Sequence, residues 1–241
     1  MAKIIPTGYP IPKRLGGGLV IYEMDGEYIL RTQSGFTSKA LKKSAKYANC
    51  RHNASEFGRV SKSCKGLRDL LTGILPKENN LAVVNSLTKK MRALLVYDME
   101  HERGQRLLAT AFEQEEVRKQ LKDYSFNPDS GFVFTTEVKK GRLRLDLVQK
   151  PWGLEYVGIR LHVVNYDFSS MEGRLCSGDW HMERGRKRLL RYSFPTVEPS
   201  GGGVLLYIVE LQSFEELDGT FTPVRVKEKG VDVAGCGLRV A

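Results

Sequence analysis

Three groups of side chains in this sequence have the types that metal and covalent chemistry use. Cys50, His52 and Cys64 offer two sulfurs and an imidazole, a donor set that suits zinc. Their spacing does not, because Cys-x-His followed by a gap longer than a helix turn matches no recognised zinc module, and Cys64 already belongs to an apolar stripe. Asp98, Glu100, His101 and Glu102 form an acidic patch around one imidazole, in which Asp98 and Glu102 share a face if a helix persists there. A charged helix end accounts for that pattern without a cation. Cys176 and His181 flank Asp179-Trp180 as a thiol and a base, but no G-x-S-x-G elbow or other nucleophile context accompanies them. The glycine triplets Gly16 to Gly18 and Gly201 to Gly203 precede expected strands, whereas phosphate-cradling loops lead from a strand into a helix. The sequence therefore predicts no catalytic residue, no bound metal, no cofactor and no enzyme activity.

Charge is the stronger signal. The chain of 241 residues carries a formal charge of +10, and residues 1–72 hold 13 Lys and Arg against 5 Asp and Glu. Residues 73–130 are balanced at 9 against 9, and residues 131–241 hold 16 against 14. The candidate nucleic-acid contacts are Lys39, Lys42, Lys43, Lys46, Arg51, Arg59, Lys62, Lys65 and Arg68. Arg186 and Arg188 join them from a later cluster, Arg184 to Arg191, where strand alternation sends Arg184, Arg186 and Arg188 to one face and Gly185 interrupts with a bulge. About six phosphate contacts would cost such a protein roughly 10³-fold in affinity between 50 and 200 mM salt. A lysine-rich face kept only for solubility is the competing reading.

These residues need elements to position them. Leu19 to Met24 and Glu27 to Thr32 flank Asp25-Gly26, the pair a tight hairpin turn prefers. Thr37 or Ser38 caps a short helix running to about Ala48. Asn53-Ala54-Ser55-Glu56 has capping-box spacing, and after it Phe57, Val60, Cys64, Leu67, Leu71 and Ile74 recur at helical steps. Pro76 ends that helix. Asn79 or Asn80 opens another with Leu81, Val84, Leu87, Met91 and Leu94 inward, and Gln105 to Leu121 suggests a fourth. Strands follow: Phe132 to Val138 and Arg142 to Val148 around Lys139-Lys140-Gly141, then Val157 to Phe168, Trp180 to Phe194, Val204 to Phe214 and Thr220 to Lys227. Grouped helices and grouped strands predict an α+β fold: an N-terminal β-hairpin (1–35), three to four helices (36–123), and an antiparallel β-sheet or sandwich (124–241).

At 41% apolar and 27% charged, the composition is that of a globular chain. The longest apolar run, Val204 to Val209, is far below the roughly 18 residues of a membrane span. The start of the chain lacks the apolar core of a signal peptide, and the four cysteines lack a pairing pattern, so thiols in the cytoplasm are expected.

The segment Arg51-His52-Asn53-Ala54-Ser55-Glu56-Phe57-Gly58-Arg59, followed by Lys62, Lys65-Gly66-Leu67-Arg68 and Leu71, resembles a family of conserved hypothetical bacterial proteins, mainly from Bacteroidetes. Leu206 to Leu211 and Leu217 to Val224 resemble the closing strands of that family. The resemblance implies a shared fold and no activity, since the family has no assigned function. It marks Asn53, Glu56, Phe57 and Gly58 as cap, cap partner, first core residue and close-packing glycine. The functional expectation is a non-enzymatic binding or assembly protein whose basic helical region meets an anionic partner, nucleic acid foremost. The alternative is a structural or scaffold subunit of a multi-protein or mobile-element assembly, with a protein partner or a second copy, and no membrane.

Overall fold

A computed structural model describes residues 2–4, 11, 14–32, 37–76, 80–186, 190–196, 199–225 and 228–239. The fold is α+β, with an N-terminal hairpin, helices, and then antiparallel sheets. Two compact units divide the chain, residues 1–51 and 52–241.

In the first unit, β1 (Ala2–Ile4), β2 (Arg14–Leu15), β3 (Leu19–Met24) and β4 (Glu27–Thr32) form a sheet in the order β1-β4-β3-β2. The β3–β4 turn is Asp25-Gly26 with φ of 55° and 78°, the positive pair that a type I′ turn demands. Helix α1 (Ser38–Lys43) starts where the Thr37 hydroxyl accepts from the Ala40 amide at 3.1 Å. Ser44 is extended and breaks it short of Ala48. Helix α2 (Ala48–Leu70) thus begins five residues before the expected capping box, and Asn53 lies inside it.

The second unit continues with α2, then α3 (Asn80–Leu94), α4 (Leu108–Glu113) and α5 (Glu115–Leu121). The expected fourth helix is two, because Gln114 takes a ψ of 127° between them. Val60, Cys64 and Leu67 are buried on α2 as the spacing predicts, but the helix stops at Leu70 rather than at Pro76, leaving Leu71 and Ile74 buried in the turns after it, and Phe57 is 49% exposed. On α3, Val83 rather than Leu81 joins Leu87, Met91 and Leu94 inside.

Among the described residues nine strands follow: β5 (Val133–Lys139), β6 (Arg142–Gln149), β7 (Tyr156–Asp167), β8 (Glu172–Ser177), β9 (His181–Arg184), β10 (Leu190–Pro195), β11 (Gly203–Leu217), β12 (Thr220–Val224) and β13 (Gly230–Arg239). The expected strand from Trp180 to Phe194 is split: β9 pairs with β7 and β10 with β6, in different sheets. Long β7 and β11 are the centre, pairing from Val204↔Tyr166 to Phe214↔Tyr156. Their even-numbered residues, Val164, Tyr166, Leu206 and Ile208 among them, meet the helices; the odd ones, Val157, Ile159, Leu205 and Val209 among them, meet β5, β6 and β10. One sheet is therefore apolar on both sides, as its near-continuous hydrophobic runs require. Strand β13 shifts register between Tyr207 and Ile208, which leaves Ala234 as an extra residue and puts Val233 and Cys236 on the helical side.

Gly66 decides how closely α2 lies on this sheet. Tyr166, fully buried, donates from its hydroxyl to the Ser63 carbonyl at 3.0 Å, and a Cβ on Gly66 would meet that hydroxyl at 2.4 Å. Gly66→Ala gains about 1 kcal/mol of helix propensity but forces a rigid ring aside, at about 1–3 kcal/mol. The expected result is a net loss in urea unfolding, relieved when Gly66→Ala is combined with Tyr166→Phe.

Candidate nucleic-acid interface

The helical signature of the sequence turns out to fasten a loop. Glu56 is buried and accepts from the Gly104 amide at 2.7 Å, while Arg103 donates to Asn53 Oδ1 at 2.9 Å. Arg59 donates to Ser55 Oγ at 2.8 Å and to the Gly104 carbonyl at 2.6 Å. Gly104, at φ 98°, lies where a Cβ would press on the His52 ring at 2.8 Å. Asn53 and Glu56 are thus a clamp on residues 98–107 rather than a cap, and Gly58 has open space where a Cβ would be.

The acidic patch is the other half of that clamp. No helix persists past Asp98. Its buried carboxylate accepts from the amides of Glu100 (3.0 Å), His101 (3.2 Å) and Leu107 (2.7 Å), with His101 Nδ1 at 2.9 Å. Burial alone would raise the Asp98 pKa; these hydrogen bonds outweigh it and hold it below the usual carboxylate value. Among the described residues no group of three or more metal-ligating side chains comes together. Burial also pushes the Cys64 thiol up to about 11, so it is inert rather than a ligand or nucleophile.

The eleven candidate cations separate into different roles. Lys39, Lys42 and Lys43 on α1 and Lys46 after it are exposed in the first unit. Arg51 donates to the carbonyls of Leu41 (2.8 Å) and Ser44 (2.9 Å), closing the end of α1, so its guanidinium has a structural use. Arg59 is engaged in the same way by the 98–107 loop. Lys62 and Lys65 are exposed, Lys65 facing Asp69 at 3.1 Å. Arg186 follows β9 in a turn, so strand alternation with Arg184 does not hold there, and Arg188 lies outside the described residues.

Arg68 belongs to something the spacing did not reveal. It lines a groove of about 510 Å³ between α2 and α3 with Phe57, Ser61, Thr88, Lys89 and Arg92. Arg68 Nη1 is buried, and among the described residues nothing accepts from it. The Arg92 guanidinium sits 5.9 Å from the centre of the half-exposed Phe57 ring. Lys62 and Lys65 extend the positive surface around α2. Lys89 and Arg92 escaped sequence reading because they lie in a charge-balanced stretch, and only the pairing of the two helices brings them to Arg68. The face combines what phosphate binding uses, several cations and an aromatic ring.

No family model, curated protein or solved structure matches this chain. Among the described residues, no helix is long and apolar enough to cross a membrane.

A polar chain runs from exposed Ser177 into the sheet. Fully buried His162 on β7 has Nδ1 2.8 Å from Ser177 Oγ and Nε2 2.8 Å from Glu210 Oε2, and Lys229 binds Glu210 Oε1. The order Ser–His–carboxylate is that of an activated hydroxyl. However, the carboxylate is shared with a buried lysine, and the Gly178 amide beside the serine already donates to the Leu161 carbonyl at 2.9 Å. Within the sheet, His162 and Lys229 satisfy the buried Glu210 carboxylate.

Asp232 on β13 is less well served. Its Oδ1 is buried without a partner among the described residues, and burial, despite a Ser125 hydrogen bond, raises its pKa to about 6. A folded pKa above the unfolded 3.8 means stability that is full below about pH 4 and lost as pH rises through 6. Asp232→Asn is expected to stabilise the protein by about 1–2 kcal/mol at pH 8 and to do nothing at pH 4, as read from thermal unfolding at both.

Proposed function

We propose that this chain is a non-enzymatic binding protein that engages nucleic acid through the α2–α3 face, in a reducing, cytoplasmic setting. The observation that carries the reading is the grouping of Arg68, Lys89 and Arg92 with the Phe57 ring along one groove. A phosphate oxygen is the acceptor such a site fits best, because guanidinium and phosphate match in charge and geometry. The four cysteines are free, in keeping with that setting.

Purification at low salt tests the proposal directly. The expected product absorbs at 260 nm until nuclease or high salt is applied. A protein that elutes free of nucleic acid and leaves labelled oligonucleotides unbound would overturn the reading; a defined oligomer in that case points to the scaffold role.

A further inference from the structure

A cleft of about 1000 Å³ lies elsewhere in the second unit, where β6 turns into β7. Its outstanding feature is Trp152, which is 94% exposed. The protein's other tryptophan, Trp180, packs edge-on to Phe214 at 5.2 Å with Arg160 over its ring. Among the described residues Trp152 has no such partner, yet its backbone is held: Arg225 Nη1 donates to its carbonyl at 2.9 Å, and Gly153 follows at φ 71°. An indole on a fastened turn is a platform set in place before any ligand arrives.

The wall opposite is positive. Arg184 and Arg186, both exposed, line the cleft, and Lys150 lines it too. Their turn is pinned: the Gly185 amide donates to the Glu155 carbonyl at 2.7 Å, and a Cβ on Gly185 would meet the Leu154 carbonyl oxygen at 2.0 Å. Glu155 is the one carboxylate among the lining residues. An exposed ring beside several cations suits a ligand with a flat π-face and negative charge, which excludes a neutral apolar peptide and a duplex whose bases are already stacked.

We propose that this cleft is a stacking site for a base of single-stranded nucleic acid, with Trp152 against the base and Arg184 and Arg186 on the adjoining phosphates. The inference rests on the proposed nucleic-acid reading but concerns different residues from the α2–α3 groove.

Tryptophan emission separates the two. Wild type and Trp152→Phe are titrated with a single-stranded oligonucleotide and, separately, with inorganic polyphosphate, which has the charge without the bases. Trp152 is so exposed that its replacement leaves the core untouched. The expected result is that the oligonucleotide quenches wild-type emission but not that of the variant, and polyphosphate quenches neither. Trp152→Ala should bind the oligonucleotide about tenfold more weakly and polyphosphate as wild type does. Oligonucleotide binding seen by anisotropy with unchanged emission, or unchanged affinity in Trp152→Ala, overturns the stacking site and leaves the groove reading standing. If neither anion binds, both fall.

Discussion

Lys229→Met is expected to lower the unfolding free energy by about 3–5 kcal/mol, the usual cost of stranding one member of a buried ion pair. Glu210 has almost no solvent exposure, and Lys229 and His162 are its partners. Burial alone would raise the Glu210 pKa, but hydrogen bonds from His162 and Lys229 outweigh it and bring it below the ordinary 4.5. Because the folded value is the lower one, the stabilisation is present above the unfolded pKa and lost as pH falls through the folded one. Removing the lysine leaves a carboxylate that prefers its proton, so the defect should shrink in acid. Urea unfolding at pH 7 and pH 4.5 measures both effects. Glu210→Gln added to Lys229→Met should recover most of the loss, since an amide oxygen still accepts from His162 Nε2–H without carrying charge. A Lys229→Met protein within 1 kcal/mol of wild type would contradict this account of the interior.

The second large effect is on binding. Lys62→Glu, Lys89→Glu and Arg92→Glu together should weaken oligonucleotide affinity by about 10²-fold or more at low salt and flatten the logarithmic salt dependence by about 2–3. All three side chains are exposed, so thermal unfolding should change little. Reversing Lys39, Lys42 and Lys43 instead asks whether the first unit contributes at all. Affinity equal to wild type in the triple variant would move the interface off α2 and α3.

Local signals in the sequence were reliable where the physics is local. Asp25-Gly26 became a tight turn with positive φ, and Val60, Cys64 and Leu67 became a buried seam on α2. Errors arose where distant segments decide. Glu56 looks like a cap partner by spacing alone, but the Gly104 amide, 48 residues away, takes its carboxylate. Phe57 has the right step for the core, yet α2 turns it to the groove beside Arg92. Strand β13 went unseen because Gly230, Gly235 and Gly237 dilute its pattern, though a Cβ at Gly235 would meet Val138 at 2.9 Å. Trp152 carries no sequence mark of exposure; its turn and the arginines opposite come together only through the pairing of β9 with β7.

The central claim is best tested by fluorescence anisotropy of a labelled single-stranded oligonucleotide titrated with the intact protein at 50 and 200 mM salt. The account predicts saturable binding at 50 mM that weakens by about 10²–10³-fold at 200 mM, as several released counterions require. Absence of binding at 50 mM would contradict it.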